Sequence, residues 1–130
     1  MNYLLDTHVL LHYGAKSPKL SQKHEEIILA ASAQEPLYLS DISLWEIATL
    51  HSLNRINIPD LATWLEQVCS PPLINRVRIS PAIAAEVAKL PDGFHHDPGD
   101  RIIVATAISL GLTLLTQDER IISTNVVKTL

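Results

Sequence analysis

The chain has 130 residues, of which 47% are hydrophobic and 18% are charged. This length suits one domain with one core, and the apolar content is higher than that of a disordered chain. The net charge of −4 at pH 7 excludes a large basic surface that would bind duplex DNA through many phosphates. We therefore expect a single globular domain over residues 1–130, with any nucleic-acid contact confined to a small area.

The sequence shows no segment for membrane insertion or export. No apolar run reaches the roughly 18 to 20 residues of a membrane-spanning helix, and the first residues, MNYLLDTHVLLHYG, contain an acid and no basic leader. Cys69 is the one cysteine, which excludes an internal disulfide and a cysteine-based zinc site and fits a reducing compartment. We expect a soluble cytoplasmic protein with no membrane contact.

Strands and helices alternate from the start of the chain. An apolar strand over residues 2–5 ends at Asp6, and a short helix follows before Gly14. Ser21 is a suitable N-cap for a helix that runs to about Ala33. These elements place Asp6 at a corner between a strand and a helix.

The middle of the chain continues the alternation. A strand over residues 36–40 precedes a helix that begins at Ser40 or Asp41, and Glu46 interrupts the apolar face of this helix. The positions predicted to share that face are Ile42, Glu46, Leu50 and Leu53. The elements that follow are a loop over 54–58, an amphipathic helix over 60–68, a break at Pro71 and Pro72, a strand over 73–79 and a helix over 81–90.

The last third, HHDPGDRIIVATAISLGLTLLTQDERI, forms one predicted unit. Pro98 suits the first position of a helix, because proline lacks the N–H that the first turn leaves unpaired. Asp100 then lies in the first turn, at the head of a buried apolar stripe. Gly111 ends the helix, and the strand over 112–116 delivers Asp118 at its carboxyl end. The tail, 125–130, is predicted to be a last edge strand.

Strands that alternate with helices indicate an α/β fold, because parallel strands need crossover connections rather than tight hairpins. We predict a mainly parallel central sheet of four to five strands flanked by helices. The working crevice of such a sheet lies beyond the carboxyl ends of its strands.

Acidic residues occupy the positions that should meet at that crevice. Each one has a structural alternative: Asp6 and Asp118 can cap short helices, Asp100 can complement a helix dipole, and Glu46 can form a capping box with Ser43. Asp97 has the same alternative, as the cap of the helix that begins at Pro98.

Together, however, Asp6, Glu46, Asp100 and Asp118 can reach one rim of the sheet. Two carboxylates about 4 Å apart repel by roughly 4 kcal/mol at an effective dielectric near 20, so a cluster of them needs a counter-charge. Hard divalent cations such as Mg²⁺ or Mn²⁺ prefer carboxylate oxygens. A pair of such ions activates water and holds the leaving oxygen of a phosphodiester, so the predicted chemistry is phosphodiester hydrolysis.

Three segments, LLDTHVLLHY, SDISLWEIATL and HHDPGDRIIVATAISLGLTLLTQDERI, resemble the PIN-domain ribonucleases and, more narrowly, VapC-type toxins of toxin–antitoxin pairs. The resemblance spans nearly the whole chain. It implies a metal-dependent endoribonuclease with Mg²⁺ or Mn²⁺ as cofactor, RNA as substrate, a cognate antitoxin as partner and a homodimer. The residues that it implies as metal ligands are Asp6, Glu46, Asp100 and Asp118. Asp97 is implied as a further catalytic residue, and the residues implied at the substrate site are Thr7, Thr116, His95 and Arg101.

The chain departs from the VapC-like pattern at three positions. His96 stands where arginine is common, Gly99 where phenylalanine is common, and His12 where tryptophan is frequent. The four predicted metal ligands match the pattern. These departures therefore concern RNA contacts and the packing under the late helix rather than the metal chemistry.

Two other functions fit part of the sequence. An aspartyl-phosphate phosphatase also carries an aspartate after its first strand, but His8 replaces the usual second aspartate two residues on. A non-catalytic RNA-binding or partner-binding module is the other alternative, although bare carboxylates do not favour binding of anionic RNA.

For the antitoxin and the dimer we expect an exposed apolar patch formed by residues 9–13 and the helix that contains Trp64.

Overall fold

The computed structural model describes residues 2–70 and 73–130, so the predicted break at Pro71 and Pro72 lies outside the described residues. The strands in the described parts are β1 (Tyr3–Leu5), β2 (Leu37–Ser40), β3 (Ile74–Val77) and β4 (Thr113–Leu115). The helices are α1 (Thr7–Gly14), α2 (Gln22–Leu29), α3 (Asp41–Ser52), α4 (Leu61–Val68), α5 (Pro81–Ala88), α6 (Pro98–Leu110) and α7 (Glu119–Ile122).

The four strands form one parallel sheet in the order β3-β2-β1-β4. Helices connect each strand to the next, as parallel pairing requires. The prediction of a mainly parallel α/β fold is confirmed. Because β1 lies between β2 and β4, the first strand of the chain pairs with the last, and Leu5 is in register with Leu115.

Both faces of the sheet are buried. Successive side chains of a strand point to opposite faces, so Leu4 and Leu114 belong to one apolar cluster and Leu5 and Leu115 to the other. Helix α6 supplies Ile103, Val104 and Ala107 to the first cluster, and α1 supplies Val9 and Leu10 to the second. This double burial explains why β1, β2 and β4 are mostly apolar, whereas the edge strand β3 has the exposed side chains of Asn75 and Arg76.

Serine side chains cap three of the helices. The Oγ atoms of Ser21, Ser40 and Ser80 accept hydrogen bonds from main-chain N–H groups in the first turns of α2, α3 and α5. The predicted cap at Ser21 is therefore confirmed. At its other end, however, α2 ends at Leu29 rather than near Ala33.

One predicted feature is wrong and another is confirmed only in part. Leu53 lies one residue beyond α3 and is 57% exposed, so the apolar face of that helix does not extend to it. The predicted edge strand over 125–130 pairs with β4 only at its end, where residues 128–130 form main-chain hydrogen bonds with Leu114 and Thr116 and an isolated bridge joins Thr129 to Leu114. Asn125 has φ 55°, in the left-handed region, and this turn interrupts the extended run.

Within residues 2–70 and 73–130, none of the helices combines the length and the apolar character that a membrane crossing requires.

Candidate functional site

Asp6, Thr116 and Asp118 meet at the carboxyl ends of β1 and β4. The main-chain N–H of Asp6 donates to the Leu115 carbonyl at 3.0 Å, which continues the strand pairing by one step. Thr116 Oγ1 then donates to Asp6 Oδ2 at 2.7 Å, and Asp6 is only 4% exposed. The Asp118 N–H donates to Thr116 Oγ1 at 3.1 Å, so the threonine ties both acids to the sheet edge.

Glu46 reaches the same rim from the middle of α3. Thr7 Oγ1 lies 2.6 Å from Glu46 Oε1 and donates to it, and Ser43 Oγ lies 2.8 Å from the same hydroxyl. On its other side the Glu46 carboxylate lies against the main chain of Gly99. A Cβ atom at position 99 would lie 2.2 Å from Glu46 Oε2, so only glycine permits this position of the carboxylate.

The first turn of α6 brings two more acids. Asp97 is the N-cap, and its Oδ1 accepts from the Asp100 N–H at 3.1 Å. Asp100 is buried, and its Oδ2 lies 2.7 Å from His95 Nε2. His95 stacks on Phe94 with 4.6 Å between the ring centroids. This stacking positions the imidazole against the carboxylate.

These elements bring four of the five predicted acids into two overlapping groups of ligand atoms, and Asp6 belongs to neither group. The ligand atoms of Glu46, Asp97 and Asp100 lie within 4.8 Å of one another, and so do those of His95, Asp100 and Asp118. Asp100 belongs to both groups. The described residues therefore include an acidic cluster with the donors that a divalent cation requires.

Burial and mutual repulsion raise the pKa of three of these carboxyl groups. For Asp6, burial is the main cause, and the charges of Asp100 and Asp118 add to it against the hydrogen bond from Thr116. For Glu46, burial again comes first, followed by repulsion from Asp100 and other acids, which outweighs the hydrogen bond from Thr7.

Asp100 follows the same pattern, whereas Asp118 does not. Burial, Asp97 and Asp118 raise the pKa of Asp100, and the hydrogen bond from His95 offsets only part of this. Burial also acts to raise the pKa of Asp118, but the hydrogen bonds and charge of Arg120 prevail and lower it.

Arg120 is a functional residue that the sequence analysis did not identify. Its guanidinium Nη2 lies 3.0 Å from Asp118 Oδ2 and 3.6 Å from Asp100 Oδ2, although its side chain is 65% exposed. It thus stands where a cation shared by these two carboxylates would bind. The sequence signal for this contact was the position of Arg120 two residues after Asp118, because the side chain of an N-cap aspartate lies next to the side chain at that position.

A divalent cation fits this donor set. Asp6 Oδ1 is a buried carboxylate oxygen with no hydrogen-bond partner in the described residues. A buried, unpaired carboxylate oxygen is costly, and a metal ion next to it would remove that cost. All the predicted ligands are oxygen donors, which Mg²⁺ and Mn²⁺ prefer over softer metals.

The residues predicted at the substrate site contact the acids or the segment before α6. Thr7 and Thr116 are buried, and their hydroxyls donate to Glu46 and Asp6, so each threonine positions one acid. The Arg101 guanidinium donates to the carbonyls of His95 and Val87 at 3.5 Å each, and it thereby holds the segment before α6.

The structure distinguishes the acids that cap helices from the acids that do not. Asp97 and Asp118 do cap helices, because each accepts a first-turn N–H. Asp6 occupies the N-cap position of α1 but makes no side-chain cap bond. Glu46 bonds to Thr7 instead of forming a capping box with Ser43. Capping therefore does not explain Asp6 or Glu46.

Two connected grooves lie beside the acids. One, of about 440 Å³, is lined by Asp6, Asp118 and Arg120 among others. The other, of about 710 Å³, extends to Arg55 and Trp64. The side chains that line both are His8, His12 and Lys19.

The apolar patch expected at residues 9–13 is not an exposed surface. Val9 and Leu10 are buried because they pack into the sheet, whereas Leu11 and Trp64 are half-buried walls of the larger groove. Of the three departures from the VapC-like pattern, His96 is exposed, His12 lines both grooves and Gly99 lies under Glu46.

Comparisons with known proteins agree with this geometry. The chain is 36% identical over 119 residues to Ribonuclease VapC22 of Mycobacterium tuberculosis, which covers 91% of this chain and 88% of that protein. The fold is similar to a crystal structure of DNA-bound VapBC from Salmonella typhimurium, with a TM-score of 0.73, 17% identity and coverage of 100% and 97% of the two chains. It is also similar to a toxin–antitoxin complex from Klebsiella pneumoniae, with a TM-score of 0.63, 21% identity and coverage of 89% and 86%.

The family model for the PIN domain matches residues 3–126, which include every acid of the cluster. With an acidic cluster at the carboxyl edge of a parallel sheet and a VapC relative over most of its length, this chain belongs to the PIN-domain family and is a VapC-type member of it.

Proposed function

We propose that this protein is a metal-dependent endoribonuclease that acts as the toxin of a toxin–antitoxin pair, formed by one PIN-like domain over residues 1–130. The observation that carries the proposal is the convergence of Glu46, Asp97, Asp100 and Asp118 at the sheet edge, beside the buried Asp6. The relative named a ribonuclease supports RNA as the substrate class.

We assign Asp6, Glu46, Asp100 and Asp118 as the residues that would hold Mg²⁺ or Mn²⁺. A divalent ion held there would neutralise the carboxylates and would supply an activated water molecule for attack on a phosphodiester. Asp97 fixes the start of α6, so its cap bond keeps Asp100 directed at the rim. Thr7, Thr116 and His95 each hold one carboxylate in place through a hydrogen bond.

The test is a digest of short single-stranded RNA by the purified protein with Mg²⁺, with Mn²⁺ and with a chelator. We expect cleavage that requires a divalent ion and that disappears in Asp6→Asn, because this substitution removes the charge of the most buried acid. Glu119→Gln is the matched control, since Glu119 is exposed and belongs to neither group of ligand atoms. Cleavage that resists the chelator would contradict the proposal.

We propose two protein partners, a cognate antitoxin and a second copy of the chain. The solved toxin–antitoxin complex of similar fold supports the first. The described residues include six large apolar side chains that are 46% exposed or more. These side chains are Leu29, Trp45, Leu53, Leu73, Ile79 and Leu110.

Light scattering at tens of micromolar tests the homodimer, and co-expression with the neighbouring open reading frame tests the antitoxin. A monomer would exclude the first, and the absence of a complex would exclude the second. We also propose a cytoplasmic location, which fits the single Cys69 and the RNA substrate.

A further inference from the structure

We propose that Lys19, held in place by Gln117, binds a phosphate of the RNA strand next to the cleaved bond. This inference rests on the proposed ribonuclease function and adds a subsite to it. Lys19 lines the groove that contains Asp6 and Asp118 and also lines the larger groove beyond. A strand that leaves the acidic rim along these grooves therefore passes Lys19.

The main chain around Lys19 is fixed to the turn that carries Asp118. Gln117 Nε2 donates to the Lys19 carbonyl at 2.8 Å, and Gln117 Oε1 accepts from the Ser21 N–H at 2.8 Å. Ser17 Oγ accepts from the Lys19 N–H at 3.1 Å. The amide of Gln117, the residue directly before Asp118, thus bonds to the main chain of Ser21 and Lys19, which lie 96 and 98 positions earlier in the chain. The position of Lys19 relative to the rim is set by this coupling.

The charge of Lys19 is available for an anion. In the described parts of the chain, no carboxylate forms an ion pair with it. His8 and His12 line the same walls, and the pKa of His12 is lowered by burial and then by the charges of His8 and Lys19. Because the charged form of His12 is disfavoured, Lys19 is the permanent positive charge on the walls that the two grooves share. The smaller groove is also lined by Asp6 and Asp118.

Single-stranded RNA fits this arrangement better than an acidic peptide does. Proteins that bind single strands combine a basic groove for the phosphates with aromatic side chains for the bases. Here Lys19 lines the larger groove together with the positively charged Arg55 and the aromatic Trp64. The groove also opens onto the acids proposed to cleave the phosphodiester, so the strand being cut is the anion that must lie there.

The experiment compares Lys19→Ala with Lys23→Ala, a matched control on the exposed face of α2 that lines neither groove. Fluorescence anisotropy measures binding of a short labelled single-stranded RNA in chelator between about 50 and 200 mM salt. Lys19→Ala should weaken binding by up to about fivefold. It should also make the slope of log K against log salt shallower by about 0.7, the value for one phosphate contact on a single strand. Lys23→Ala should match the parent in both measurements.

Gln117→Ala tests the positioning role, because it leaves the charge of Lys19 unchanged. We expect both Lys19→Ala and Gln117→Ala to bind RNA more weakly than the parent. In the presence of Mn²⁺, both variants should have a raised KM and a kcat within about twofold of the parent, because the lost contact binds substrate and transition state equally. If Lys19→Ala equals Lys23→Ala while the parent binds and cleaves RNA, the subsite is wrong and the ribonuclease proposal stands. If the parent neither binds RNA in chelator nor cleaves it with Mn²⁺, both proposals fail. If Lys19→Ala weakens binding of a glutamate-rich peptide and leaves RNA binding unchanged, the subsite belongs to a protein partner and the proposal is overturned.

Discussion

Gly99→Ala should impair cleavage by moving a single carboxylate. The new Cβ would lie 2.2 Å from Glu46 Oε2, 2.4 Å from its Cδ and 2.9 Å from Oε1, so the whole carboxyl group has to move. Ordinary contact begins at 3.4 Å, which requires a displacement of about 1.2 Å. A misplacement of about 1 Å in a catalytic constellation costs up to about 100-fold in rate. We therefore expect kcat to fall by about two orders of magnitude.

The fold should survive this substitution. The atoms that clash belong to the end of a flexible side chain rather than to the backbone. Loss of the Thr7–Glu46 hydrogen bond costs about 1 kcal/mol, and replacing glycine by alanine in a helix returns up to about the same amount. The free energy of unfolding, measured by urea titration in chelator, should therefore change by less than about 1 kcal/mol.

Gly93→Ala is the matched control, because a Cβ at that position meets nothing within 4 Å. A double-mutant cycle with Glu46→Ala locates the effect: if Gly99→Ala acts through Glu46, it should cause no further loss in the Glu46→Ala background. Cleavage by Gly99→Ala within about twofold of Gly93→Ala would refute the reasoning. Additive losses in the cycle would show that residue 99 acts by another route.

Three further experiments test the charges of the cluster. Asp100→Asn should abolish cleavage, and Mn²⁺ should raise the melting temperature of this variant less than that of the parent. The metal-free variant should melt no lower than the parent. Retained cleavage with an unchanged shift of the melting temperature would end the assignment of Asp100 as a ligand. Arg120→Ala should bind Mn²⁺ more tightly in calorimetry, because the guanidinium competes for the oxygens of Asp100 and Asp118; weaker binding would contradict this. In chelator, burial of Asp6 favours its neutral form in the folded state. The contribution of Asp6 to the free energy of unfolding should therefore be fully present below pH 3.8, its ordinary pKa, and should be lost as the pH rises through the raised pKa of the folded state. Urea titrations at stepped pH should therefore show the parent losing stability relative to Asp6→Asn over that range, and parallel curves would contradict the shift.

The sequence predicted the sheet and the acids well because both follow from local patterns. Apolar runs of strand length separated by helices determine parallel pairing, and the residues that end such strands must gather at one edge. Asp6 and Asp118 were identified in this way, whereas Asp100 was identified because it heads a buried stripe in the first turn of the late helix. Glu46 was identified because it interrupts an apolar helical face, and the structure brings it to the same rim.

What the sequence did not reveal depends on contacts between distant segments. Nothing in the local pattern around Gln117 indicates that its amide reaches Lys19 and Ser21, because that contact requires the sheet to be assembled first. The fit of Glu46 over Gly99 is likewise a matter of distance between two helices. His24 is buried and bonds to the Leu130 carbonyl, a contact between residues 106 positions apart that no local pattern indicates.

The pairing of the first strand with the last determines when the active centre can form during synthesis. Thr116 and Asp6 are in direct contact although they are 110 positions apart in the chain. A growing chain acquires Asp6, Glu46 and Asp100 before it acquires β4, the strand that aligns Asp6 with Asp118. Such long-range pairing is also slow, because the entropy of closing the loop is lost before the contacts form. A ribosome-bound chain therefore carries Asp6, Glu46 and Asp100 before they can assemble, and the acidic cluster forms only after β4 has been synthesised.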